Sequence, residues 1–179
     1  MTTKSSLLQN SLSPARWPIL AFLLSASMLL GAYGFEHIGG LAPCQMCYWQ
    51  RHAHKLVMVV SLLAIAQAYF IKNPMLRHVA KRIFLWFIAL AFLVSFAYGF
   101  AHMGVEYGWW EGPKSCMADP SAAFTIEDLA QSLKQKIDAP ACSDVKWSFL
   151  SLSMAVWNAL ISLLGALMSL RFAFKGPAR

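Results

Sequence analysis

Charge is scarce in this chain. Lysine, arginine, aspartate and glutamate make up 13% of its 179 residues, while 58% are hydrophobic. An ordinary soluble domain carries about 25% charged residues, so the shortfall excludes a typical water-soluble globular protein. The formal net charge of +7 raises nucleic acid as a partner. No basic patch with interleaved aromatics is present, and that class is set aside. Acid is missing altogether from residues 1–16, residues 72–82 and the tail after Leu170. No internal repeat or low-complexity stretch divides the chain, which reads as a single domain over 1–179. Cysteine is sparse too, at four residues. An even count suits two disulfides in an oxidising compartment, or metal and redox chemistry in a reducing one.

What the chain does have is four long apolar runs. They predict membrane spans at about 17–35, 48–71, 83–101 and 147–170, each near the length that a hydrocarbon core of about 30 Å demands. Trp17-Pro18 opens the first, with proline in a position a first helical turn tolerates. This run exceeds a signal-peptide core of about 7–15 residues and no A-x-A site follows, so it reads as a retained anchor. Arg51, His52, His54 and Lys55 open the second and are expected near the interface, their side chains snorkelling. Residues 72–82 (Lys72, Arg77, His78, Lys81, Arg82) read as a tight basic loop with Asn73-Pro74 at its turn. His37 and His78 read as ordinary loop residues.

The connections are residues 36–47 and the longer 102–146. The second holds seven of the eight acids, together with Cys116 and Cys142. Within it Ile126, Leu129, Ala130, Leu133 and Ile137 recur at helical spacing after Thr125-x-x-Asp128, which predicts a short amphipathic helix. The fold expected is therefore an all-α membrane protein: a four-transmembrane-helix bundle with two extracytoplasmic loops, the second carrying that helix. The N-terminal tail, the 72–82 segment and the C-terminal tail hold nine Lys/Arg and no acid. By the positive-inside rule both termini face the cytoplasm. All four cysteines then share the opposite, oxidising side.

Cys44 and Cys47 form a C-x-x-C pair immediately before the second span. Alone, that spacing serves zinc as often as redox chemistry. Its position at a helix start adds weight. A helix N-terminus stabilises a thiolate by about 0.3–1 kcal/mol, and a cation one turn away contributes more in a partly dry site. Arg51 lies one turn beyond Cys47 on the same face. Thiolate is the reactive form. Cys116 and Cys142 are far apart in sequence, and a bridge closing such a loop is ordinarily structural, worth about 3–4 kcal/mol. His102, at the end of the third run, reads by itself as a helix-end cap.

The run Cys44-Gln45-Met46-Cys47-Tyr48-Trp49-Gln50-Arg51 resembles the C-x-x-C-x-x-x-R signature of the DsbB family of bacterial disulfide-bond formation proteins. The second cysteine pair fits, as does Trp147 following Cys142 at the mouth of the fourth run. The resemblance spans about Trp17 to Arg171. It implies a multi-pass inner-membrane quinone reductase with periplasmic cysteines. A DsbA-type periplasmic thiol oxidase would attack Cys116–Cys142 at Cys116. Cys142 would then exchange with Cys44, and Cys47 would reduce ubiquinone or menaquinone drawn from the membrane pool. Arg51 would hold the quinone, with His102 beside it. A DsbA-type oxidant stands near −120 mV and ordinary structural disulfides below about −300 mV, so a plain bridge would face roughly 180 mV uphill, on the order of 8 kcal/mol. The resemblance thus implies a strained or mobile second pair, or one pulled forward by quinone reduction. Two other readings stay open: a metal site built from the four cysteines, and two passive disulfides.

Overall fold

The structure is a computed structural model and describes residues 15–113 and 141–174. Helix α1 is Trp17–His37 and begins with proline in its first turn. It ends where the N–H groups of Ile38 and Gly39 both bond to the Gly34 carbonyl. Gly40 follows at φ +66°, a left-handed conformation that glycine adopts without steric cost. Helix α2 is Gln45–Phe70, capped by Cys44. Helix α3 is Pro74–Glu106. A small hairpin of β1 (Ser148–Phe149) and β2 (Leu152–Ser153) precedes helix α4, Met154–Phe174. Each helix has at least 21 residues and is apolar enough to cross a membrane. At 1.5 Å per residue, even the shortest reaches about 31 Å.

Three stretches differ from expectation. The basic segment 72–82 is helical from Pro74 onward, and only Ile71–Asn73 turn. Asn73 acts as an N-cap, its side-chain oxygen accepting from Met75 and Leu76 N–H. Pro74 then sits at the first helical position, where it is favoured. The same helix continues past Ala101, so His102 lies inside it rather than closing it. The last helix starts at Met154, not Trp147. Leu150 and Ser151 both adopt positive φ, 52° and 63°, which makes a two-residue hairpin turn with Ser148 opposite Ser153. Ser153 then caps α4 by accepting the Val156 N–H. The amphipathic helix expected around residues 125–137 lies outside the described residues.

Helix α3 packs against α2 and α4, and α1 rests mainly on α2. The core is built from Val57 and Ala64 of α2, Leu85, Ile88 and Phe92 of α3, and Ala166 and Phe172 of α4. Leu30, Leu63, Leu90 and Leu164 point outward and are exposed, as a lipid-covered surface requires. The α3–α4 seam uses small residues, which let membrane helices approach closely. A Cβ on Gly99 would stand 2.9 Å from the Ala159 nitrogen, and one on Gly165 2.9 Å from the Phe92 ring. Replacing Gly99 by leucine is expected to cost at least the ~1–3 kcal/mol typical of overpacking, read as a lower melting temperature in detergent.

Helix α1 barely touches α4 along most of its length. The two meet at the end remote from the cysteines. There Trp17 Nε1 donates to Ser169 Oγ at 2.8 Å, and its ring lies 5.5 Å from that of Phe172. At the cysteine end they stand apart.

Candidate functional site

Cys44 is the N-cap of α2 and Cys47 its third residue. The Cys44 sulfur accepts the Cys47 N–H at 3.3 Å, the bond an N-cap side chain makes. The C-x-x-C spacing thus folds into a cap that brings the two sulfurs to 2.9 Å. Both cysteines carry free thiols. Cys44 S–H donates to Cys47 Sγ, and that bond raises the Cys44 thiol far above its ordinary range. Burial and the charge of Cys47 push it the same way. Cys44 therefore holds its proton, and Cys47 is the sulfur placed for nucleophilic work. Iodoacetamide at pH 8 is expected to modify Cys47 at least about tenfold faster than Cys44. Peptide mass spectrometry reads the difference, and equal labelling would contradict this assignment.

Cys142 is 1% exposed and packs with Cys44, Met46 and Val105. It is disulfide-bonded, whereas Cys116 lies outside the described residues. His102 ties Cys142 to the first pair. The Cys142 carbonyl can only accept, so His102 carries a proton on Nε2 and donates it at 3.2 Å. Its Nδ1 accepts from Gln50 Nε2 at 2.8 Å. The Cys44 sulfur lies 3.6 Å from His102 Nε2. His102 is thus a buried bracket between the two cysteine segments, not a helix-end cap. It stands behind the thiols and is not among the residues lining the cavity they face.

That cavity, about 460 Å³, lies between α1 and α4 in front of α2. It follows from the separation of those helices at the cysteine end. Its walls are mostly apolar, with Leu29 and Phe35 from α1, Met154 and Ile161 from α4, and Trp147 from the loop. Cys44, Cys47, Gln50, Arg51, His54 and Asn158 supply polar atoms. The Trp147 ring lies 4.8 Å from that of Phe35, so the second loop forms part of the wall.

Arg51 is 7% exposed and does not snorkel. Its guanidinium donates to the Glu36 carboxylate and to the Ala32 carbonyl at 3.1 Å. Tyr33 and Tyr48 flank it, their ring centroids 4.9 and 5.4 Å away. His54, expected at the interface, is also buried, at 3% exposure. It sits three residues beyond Arg51, on the face of α2 that looks into the bundle. His52 is exposed, as expected, and bonds to the Tyr48 carbonyl at 2.6 Å. Four polar residues of the site were not anticipated from the sequence, Asn158 among them. Gln50 orients His102, Glu36 pairs with Arg51, and Glu106 accepts the Ser153 hydroxyl proton at the cavity edge. Glu36 left one signal: it is the single acid outside the long loop.

Fold and site together define a multi-pass membrane protein with a paired-thiol centre at one end of a four-helix bundle. Residues 14–172 match the family described as disulfide bond formation protein DsbB. The chain belongs to that family and is an oxidoreductase of disulfide bond formation. It is 30% identical over 167 residues to Disulfide bond formation protein B of Marinobacter nauticus, covering 88% of this chain and 93% of that one. It is 32% identical over 154 residues to the protein of the same name in Methylococcus capsulatus, with 82% and 85% covered. The Acinetobacter baumannii protein of that name is 27% identical over 160 residues, with 88% and 87% covered. No solved structure matches the chain.

Proposed function

We propose that the protein is a thiol:quinone oxidoreductase of the bacterial inner membrane that reoxidises a DsbA-type periplasmic dithiol. The observation that carries this reading is the Cys44/Cys47 dithiol, seated on an apolar cavity between α1 and α4 with Cys142 packed behind it. Both termini are cytoplasmic and the cysteines periplasmic, as the distribution of Lys/Arg supports.

The reduced partner attacks the Cys116–Cys142 disulfide at Cys116. This forms a mixed disulfide and releases Cys142 as a thiolate. The partner's second thiolate then resolves the mixed disulfide, leaving Cys116 reduced and the partner oxidised. Cys142 attacks the oxidised Cys44–Cys47 pair at Cys44, expelling Cys47 as thiolate. Cys116 attacks Cys142 and restores the first disulfide, leaving Cys44 as thiol and Cys47 as thiolate. His102 supports the exchange by donating to the Cys142 carbonyl, which keeps that segment against Cys44. Cys44 holds a proton that it surrenders when the pair is reoxidised.

A quinone ring suits the cavity: the walls are apolar, a few polar atoms converge in it, and it lies between helices that face lipid. Arg51 and Gln50 are the residues placed to hold the ring beside Cys47. When bound, a quinone supplies an acceptor for two electrons and two protons. The assay that tests the reading mixes the purified protein, a reduced DsbA-type partner and a short-chain ubiquinone, and follows quinone absorbance. Absence of partner-dependent loss of that absorbance would refute it.

One observation favours a metal reading. Ligand atoms of Cys44, His102 and Cys142 lie within 4.8 Å of one another. A disulfide at Cys142 removes its thiolate from that set, and a thiolate is what zinc binds. Metal analysis of the purified protein decides between them: stoichiometric zinc with four unoxidised thiols would displace the relay.

A further inference from the structure

One polar cluster lies deeper in the bundle than the thiols, and the relay makes no use of it. All four helices contribute: Ser25 from α1, His54 from α2, Ser95 from α3, and Asn158 and Ser162 from α4, all buried. Asn158 Oδ1 can only accept, so His54 carries its proton on Nε2 and donates it at 2.7 Å. His54 Nδ1 then accepts from Ser25 Oγ at 3.2 Å. Ser95 Oγ also approaches Asn158 Oδ1, at 3.5 Å, and Ser162 Oγ donates to Ser95 Oγ at 2.9 Å.

Hydrogen bonds between membrane helices contribute little to stability, about 0.6 kcal/mol on average, and apolar packing would serve as well. A histidine in such a place ordinarily marks a ligand or proton path. Position is the second observation. His54 and Asn158 line the same cavity as Cys47 and Arg51. On α2, Cys47, Arg51 and His54 follow at intervals of four and three, one stripe of one face. Seven residues of helix rise about 10 Å. His54 and Asn158 thus line the cavity deeper in the bundle than Cys47.

Asn158 has the group a second contact needs. Its amide nitrogen carries two hydrogens. One goes to the Ser95 carbonyl at 3.3 Å, and the other has no partner among the described residues. The Ser95 carbonyl can only accept, so its bond to Nδ2 sets the orientation of the amide. His54, donating to Oδ1, holds the amide in that orientation.

We propose that Asn158 is the floor of the cavity and donates its second amide hydrogen to the far oxygen of a ring bearing two opposed carbonyls. Arg51 and Cys47 face the near oxygen. His54 is a positioning residue that sets the amide. This rests on the quinone reading above, and it adds a second subsite that selects for the second carbonyl.

The test is a binding titration on the full chain in detergent, read as quenching of Trp147 and Trp157, which line the cavity. Two probes with the same short tail are compared, a ubiquinone-type ring and a ring with one carbonyl removed. Losing one hydrogen bond predicts roughly three- to tenfold weaker binding of the two-carbonyl ring by Asn158→Leu and His54→Leu. The one-carbonyl ring should bind all variants alike. His54→Gln restores a donor toward Asn158 and should regain most of the affinity. It also serves as the folded reference if either leucine variant is unstable. Wild-type binding with unchanged affinity in the variants, or equal losses for both rings, overturns the inference alone. A wild-type protein that binds neither ring overturns the quinone reading with it.

Discussion

Replacing Cys47 and Cys116 together by serine is expected to trap a Cys44–Cys142 disulfide. The double variant keeps the two sulfurs that the relay would join and removes the partner of each. Cys44, Cys142 and the imidazole of His102 already bring their ligand atoms within 4.8 Å of one another. A disulfide needs sulfurs about 2.05 Å apart, so the exchange requires a small approach and no rearrangement of helices. Turnover with a reduced thiol partner should fall by about 10³-fold or more, as when groups that act as a unit are broken. Non-reducing peptide mapping reads the new bridge. If both thiols stay free under oxidising conditions, the order of transfer proposed here is wrong. Adding His102→Ala should slow formation of the bridge without preventing it, because the histidine holds the segment and does not react.

Changing Arg51 to leucine should have the second largest effect, and here two consequences must be separated. Glu36 would be left without its cation in a site where it is only 21% exposed. Breaking a buried pair from one side costs about 3–5 kcal/mol, and the partial exposure of Glu36 places this case near the lower figure. Removing both charges, as Arg51→Leu with Glu36→Leu, should recover much of that stability. It should not recover quinone reduction, which is expected to fall about 10²-fold in both variants through loss of a preorganised cationic donor. Melting temperature and the quinone absorbance assay, measured side by side, distinguish the outcomes. A double variant with full activity would reduce Arg51 to a helix anchor.

Spans and cysteine motif were legible because each depends on local pattern. An apolar run declares itself over 20 residues, and C-x-x-C with arginine one turn on is a matter of spacing. The same reasoning failed where distant segments decide. Asn73-Pro74 reads equally as a turn or as a cap followed by a first helical residue. Only the continuation of α3 selects the second. The hairpin before α4 turns on Leu150 and Ser151, neither a typical residue for positive φ, so nothing in the pattern announced it. His54 and Arg51 sit in a cluster of polar residues that periodicity assigns to an interface. Their partners, Asn158 and Glu36, lie 104 and 15 residues away, and pairing across that separation leaves no trace in a local window. His102 reads as a helix end only because the hydropathy falls there, while the helix itself runs on to Glu106.

The clasp of Trp17 on Ser169 and Phe172 makes the gap between α1 and α4 a wedge, shut at one end and parted at the other. A molecule that reaches the dithiol through this wedge travels sideways, within the bilayer, and the thiols need never meet bulk water on that side. Its effective concentration is then counted per volume of lipid, not per volume of solution. Occupancy would track the ratio of ligand to amphiphile, so diluting the protein with more detergent at a fixed amount of ligand would empty the site with no change in the protein itself.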